Sequence, residues 1–179
     1  DCLQLGVGEE TLRGEGLGNE SIVQEYLRAS EQNGVKITSL SPQFVHQYSF
    51  TRPQGSEEEE IVIRLVERTI ELCTVFGCDS FLLPVLGKNG IFDGPSFHRA
   101  ADYIRRFSEE AGKKGISTYL EINQSVEQLH NLLDAVDNPM VRIFFDSQNL
   151  YVYDGTSMAR YFTAIEELVG GVHLKDGVG

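Results

Sequence analysis

Residues 171–177 read GVHLKDG, and two stretches upstream share their form: ISTYLEIN at 116–123 and MVRIFFDSQN at 140–149. Each is an apolar, β-branched or aromatic run that reads as a strand and ends in polar groups. The three endings carry Glu121 with Asn123, Asp146 with Gln148 and Asn149, and His173 with Lys175 and Asp176. A carboxylate at the end of a buried strand is costly unless something compensates its charge. Two carboxylates and a neutral imidazole share one natural compensator, a divalent cation such as Mn, Co, Zn or Mg. The intervals fit, since Glu121 to Asp146 is 25 residues and Asp146 to His173 is 27, about one strand–helix unit each.

Outward from these stretches the same alternation runs through the chain. A strand at 2–8 leads into a glycine-rich loop through Gly18, then a helix capped by Asn19 runs to about Asn33 and stops at Gly34. A strand at 35–41 precedes a helix at about 57–76, with Ile61, Leu65, Leu72 and Val75 at helical spacing and Gly77 as its stop. A third strand at 80–87 is followed by a helix that takes Pro95 in its first turn, reaches about Lys113 and closes at Gly115. Ser125 caps the helix after the fourth strand, and a last helix is expected at about 157–168. Strands that are apolar throughout are expected to be buried on both faces of a parallel sheet. The class is therefore α/β.

Two parallel architectures compete. Gly14, Gly16 and Gly18 miss the G-x-G-x-x-G spacing of doubly wound nucleotide binders, and their loop is acidic, the wrong sign for pyrophosphate. An eight-stranded barrel instead places its chemistry where strands end, as the polar endings here require.

Composition bounds the function. The 179 residues suit one sizeable core, with 41% hydrophobic and 23% charged residues. No apolar run reaches the ~20 residues of a membrane span, so no membrane partner is expected. The net charge of −12 disfavours binding to a phosphate backbone, so neither is nucleic acid. Three cysteines do not build a disulfide framework; packing roles for Cys2, Cys73 and Cys78 and a reducing, cytoplasmic compartment are expected. The run Glu57 to Glu60 reads as the start of a helix, where its charge suits the dipole.

LEIN (120–123), FFDSQN (144–149) and GVHLKDG (171–177) resemble the metal-binding strand ends of the sugar-phosphate isomerase/epimerase superfamily. These are the xylose-isomerase-like TIM barrels that include the ketose 3-epimerases. The resemblance implies a single barrel domain over 1–179 with about six of eight strand–helix units, the second to the seventh. Eight units of ~30 residues need about 250 residues, so the first and last strands are expected to lie outside this sequence, leaving two raw sheet edges. It also implies one divalent ion held by Glu121, Asp146 and His173, with a fourth ligand, a glutamate of the eighth strand, not in this chain.

The implied substrate is a small sugar, polyol or keto-cyclitol. Its proton next to a carbonyl would be removed through a metal-stabilised enediolate, with Glu121 as the catalytic base. Asn149 stands where the ketose epimerases usually have a substrate-contacting histidine, and Glu127 matches a position that meets sugar hydroxyls in some of them. Lys175 and Asp176 either form a surface pair or orient His173 and meet substrate. Without the second carboxylate the chain alone is expected to be inactive, and homo-oligomers are compatible with this reading.

Rival readings stay open. A lyase or dehydratase would use the same proton abstraction. A non-catalytic or partner-completed barrel would suit the open edges. An apurinic-site endonuclease shares the barrel but needs three zinc ions and more histidines, for which only His46 and His98 are at hand, in loop or helix-surface positions. Phosphate contacts could come only from Arg13, Arg52 and Lys88, and Phe44, Tyr48, Phe92 and Tyr151 are the loop aromatics available to close over a sugar ring.

Overall fold

A computed structural model describes residues 2–44, 47–51, 55–87, 90–91, 93–148 and 157–175. Six strands follow one another in the sheet in chain order: β1 (Cys2–Val7), β2 (Lys36–Pro42), β3 (Ser80–Val85), β4 (Ser117–Ile122), β5 (Val141–Asp146) and β6 (Val169–His173). Every neighbouring pair is parallel. Helices α1 (Glu20–Asn33), α2 (Glu57–Phe76), α3 (Gly94–Gly112), α4 (Val126–Val136) and α5 (Met158–Ile165) make the crossovers. This is an incomplete α/β TIM barrel, six strands of a half-barrel backed by helices. Among the described residues β1 and β6 each pair on one side only.

The helix boundaries follow from their caps. Asn19 accepts from the Ser21 N–H at 2.9 Å, and Ser56 from the Glu59 N–H at 3.2 Å. Asp93 with Ser96, and Ser125 with Gln128, form reciprocal capping boxes. Gly34 and Gly77 take the left-handed conformation that ends α1 and α2. The four glutamates 57–60 occupy the first turn of α2, as their charge requires.

Several expectations need correction, among them the packing role of Cys2, which is exposed at the start of β1. The inward face of α2 runs through Val62, Leu65, Val66, Thr69, Leu72 and Cys73, so Val75 is exposed and Ile61 only half-buried. The last helix stops at Ile165, and Glu166–Leu168 form a 3-10 turn that feeds directly into β6. Two adjacent glutamates oppose the negative end of the helix dipole there. Residues 9–18 are not an open glycine loop but two 3-10 turns, Glu9–Arg13 and Gly16–Gly18. A Cβ on Gly18 would stand 2.2 Å from the Thr11 carbonyl oxygen, so that glycine serves close packing.

Among the described residues, helices cover one face of the sheet only. β3 is buried throughout, but β4 alternates, with Thr118, Leu120 and Ile122 buried and Ser117, Tyr119 and Glu121 half-buried. The expectation of two fully buried faces therefore fails for β4, whose second face looks into the lumen of the half-barrel, and also for β1, β5 and β6, each of which has exposed positions. The core lies between sheet and helices and is built from Leu83, Leu120, Ile143 and Phe145 against Val66, Ile104, Phe107, Leu132 and Tyr161. Phe44 is buried in it, edge-on to Phe50, and so cannot close over a ligand. Among the described residues no helix is long and apolar enough to cross a membrane.

Candidate functional site

Parallel register brings the three polar strand ends together. Glu121 pairs with Pro84 at the end of β3, and Asp146 at the end of β5 pairs with His173 at the end of β6. His173 Nδ1 lies 3.9 Å from Glu121 Oε1 and 3.8 Å from Asp146 Oδ2. One ligand atom from each residue falls within 4.8 Å of the others. The sites expected at Glu121, Asp146 and His173 are thus one cluster.

The walls of the cluster hold its geometry. The His173 ring packs edge-on against Phe144 with centroids 4.4 Å apart, and Phe144 in turn meets Tyr119 at 6.3 Å. Gly170 and Gly171 make room for these rings: a Cβ on Gly170 would stand 2.7 Å from Tyr119. The Gln148 N–H donates to Asp146 Oδ1 at 2.9 Å, and the Ser147 N–H donates to the His173 carbonyl at 3.0 Å.

Lys175 adds a cation. Its ammonium is ion-paired with Asp146 Oδ2 and lies 3.9 Å from Glu121 Oε1. Burial pushes the Asp146 carboxyl up, but the Lys175 ammonium and the Gln148 N–H outweigh it and hold it below the usual carboxylate range. Asp146 has a side chain only 1% exposed, so this compensation is what allows an ionised group there.

The donor set fits a divalent ion. Two carboxylates and an imidazole converge from three strands, and His173 Nδ1 is buried without a hydrogen-bond partner among the described residues. A buried ring nitrogen with no proton partner is the arrangement a metal ligand needs. Ligand bonds of about 2.0–2.2 Å require the three atoms to draw in slightly, within reach of side-chain rotation.

Other expected contacts fall elsewhere. Glu127 is exposed in the first turn of α4, where it complements the helix N-terminus. Asn149 and Asp176 lie outside the described residues, as do His46, Arg52, Lys88, Phe92 and Tyr151. His98 is exposed on α3 against Phe97, and Arg13 pairs with Glu9. Tyr48 donates to Glu9 at 2.5 Å. Ser147 was not singled out by sequence, yet it anchors the Lys175 backbone: it accepts from the Lys175 N–H at 2.8 Å and donates to its carbonyl at 2.9 Å. The one signal was its place directly after a strand-end aspartate.

A sequence model of the xylose isomerase-like TIM barrel family matches residues 1–179. The chain belongs to that family. A search of curated proteins by sequence finds no match. Among solved structures, the chain is similar to a xylose isomerase domain protein from Planctomyces limnophilus, with TM-score 0.80 and 14% identity, over 96% of this chain and 62% of that one. A 3-keto-D-glucoside 4-epimerase from E. coli matches with TM-score 0.69 and 16% identity, over 94% and 66%. A D-psicose 3-epimerase solved in the presence of D-fructose matches with TM-score 0.73 and 11% identity, over 97% and 63%. The chain thus spans less than two thirds of each of these proteins. Sugar epimerases are among the relatives of its barrel, and at these identities the likeness is one of fold.

Proposed function

We propose that this chain carries the metal-binding strand ends of a sugar or keto-cyclitol isomerase/epimerase. The observation that supports this reading is the convergence of Glu121, Asp146 and His173 at the ends of three adjacent strands, with His173 Nδ1 buried and unpartnered among the described residues. In such barrels the carboxyl ends of the strands form the reactive face.

Glu121, Asp146 and His173 would hold the ion, which supplies Lewis-acid stabilisation of negative charge developing beside a carbonyl. Asp146 stays ionised because Lys175 and Gln148 support its charge. Glu121, largely buried at the lumen end of β4, presents one oxygen to the cluster and uses the other to take the proton from the carbon next to the carbonyl. The Phe144 ring, backed by Tyr119, holds the His173 imidazole in place. A small keto-sugar or keto-cyclitol is the substrate class this chemistry requires, with the proton returned to the same carbon for epimerisation or to its neighbour for isomerisation.

The test is elemental analysis of the purified chain beside Glu121→Gln and His173→Ala. About one Mn, Co, Zn or Mg per chain is expected, lost in both variants. Three zinc ions per chain would point to phosphodiester chemistry instead, and no specifically bound metal would remove the metal-dependent reading.

A further inference from the structure

Lys175 and a divalent ion need the same oxygens. The Lys175 ammonium is ion-paired with Asp146 Oδ2 and stands 3.9 Å from Glu121 Oε1, and both atoms belong to the cluster that includes His173 Nδ1. A divalent ion at about 2.0–2.2 Å from Asp146 would be brought into contact with that ammonium, and two cations at such range repel strongly in a largely buried site. Formal charge leads to the same conclusion. Two carboxylates balance one divalent ion, and a lysine left in place would make the cluster net positive.

We propose that Lys175 is an internal competitor for the metal, whose ammonium leaves Asp146 when the ion binds and whose presence sets the affinity of the site. This rests on the metal reading above. The local architecture suits such an exchange. Ser147 fixes the Lys175 backbone through two hydrogen bonds, and its own N–H holds the His173 carbonyl, so the strand end need not move. The Lys175 side chain is 45% exposed and ends a flexible four-carbon stem, so its head can swing to solvent by rotamer change alone. With Lys175 in place the buried Asp146 charge is compensated by the chain itself, which lets β5 and β6 come together before any ion is captured.

The experiment is calorimetric titration of the whole chain with Mn2+ at fixed neutral pH, comparing wild type, Lys175→Met and Lys175→Arg. Methionine keeps most of the stem and removes the charge. The Met variant is expected to bind about tenfold more tightly or better, a shift of roughly 1.4 kcal/mol, while Arg stays near wild type. Thermal unfolding in chelator is expected to show the Met variant less stable than wild type. An affinity unchanged or weakened in the Met variant overturns the proposal while leaving the metal reading intact. Absence of Mn2+ binding by wild type removes both.

A second measurement needs no Met variant. The Lys175 Cε–H NMR signal, assigned by its disappearance in Lys175→Arg, is expected to shift on saturation of the wild-type chain with Zn2+. A signal that stays in place overturns the proposal.

Discussion

Gly171 lies flat against Phe144: a Cβ at Gly171 would stand 2.5 Å from Cε2 of that ring. Phe144 cannot yield without disturbing His173, whose ring packs against it. Gly171→Ala is therefore expected to lower stability by about 1–3 kcal/mol, the range for overpacked interiors. It should also weaken metal binding by roughly tenfold, or about 1.4 kcal/mol, because the imidazole is pushed out of line. Chemical denaturation and Mn2+ titration of the variant check the two effects separately. Loss of stability with metal affinity intact would mean that β6 shifts as a unit and carries His173 with it.

Tyr103 and Glu59 supply an alkaline prediction. Glu59 is buried at the start of α2, where it accepts from the Tyr103 hydroxyl and the Gly55 N–H. Burial, and then the hydrogen bond to Glu59, push the Tyr103 phenol up to about 12. An unfolded tyrosine ionises near about 10, so between these values the unfolded chain has lost a proton that the folded chain keeps. The contribution is complete below about pH 10 and is lost as pH rises through the folded value. Tyr103→Phe should flatten that part of the profile and cost about 1–2 kcal/mol at neutral pH by removing one bond from a buried carboxylate. Urea unfolding at pH 7, 9 and 11 reads both; a variant that tracks wild type at all three refutes the assignment.

Asp93 gives the acid-side counterpart. The Ser96 N–H and then the Ser96 hydroxyl hold its carboxyl below the usual carboxylate range. The unfolded group protonates near about 3.9, so this stabilisation is present above that value and disappears as pH falls through the folded value. Asp93→Asn keeps a capping side chain without the charge. Wild type should unfold at the higher temperature at pH 6, and the gap should be smaller at pH 3. A gap of equal size at both pH values would rule out the cap charge as its source.

The three thiols should divide one against two. Cys2 is exposed, whereas Cys73 and Cys78 are buried and donate to the Ser80 and Ile37 carbonyls. The Cys73 thiol is pushed up by its hydrogen bond with Cys78 and by burial, while the same bond draws the Cys78 thiol down, so burial is what shields Cys78 from a reagent. Titration with a disulfide reagent is expected to find one fast thiol in the native chain and three after unfolding. Rapid reaction of a second thiol would show that the α2–β3 junction opens readily.

The strand ends could be read in advance because charge and apolarity conflict there, and such conflicts are rare within parallel strands. Glu121, Asp146 and His173 stood out for that reason, and the caps at Asn19 and Ser125 fixed two helix starts. Helix phase was harder. Leu65 and Leu72 are compatible with two neighbouring stripes, and packing against β2 and β3 chose the one that leaves Val75 in solvent. That stripe, extended back from Val66 and Val62, passes through Glu59, so the buried member of the acidic run becomes identifiable only once the phase is known. The grip of Lys175 on Asp146 was invisible for another reason: a flexible side chain chooses its partner in space, and Ser147, 28 residues away, positions it.

β6 is joined by a single neighbour among the described residues; its Val172 is 43% exposed, and Leu174, just beyond the strand, is 86% exposed. Segments with few buried apolar contacts open at lower cost than the interior of a sheet. Glu121 and His173 sit on strands separated by β5 and are 52 residues apart in the chain. Any group that grips both stitches the fraying margin to the sheet interior and closes a long loop, so its binding energy also opposes local opening. Reactive chemistry and mechanical integrity would then share one seam, and amide exchange along β6 would slow as that seam is drawn tight.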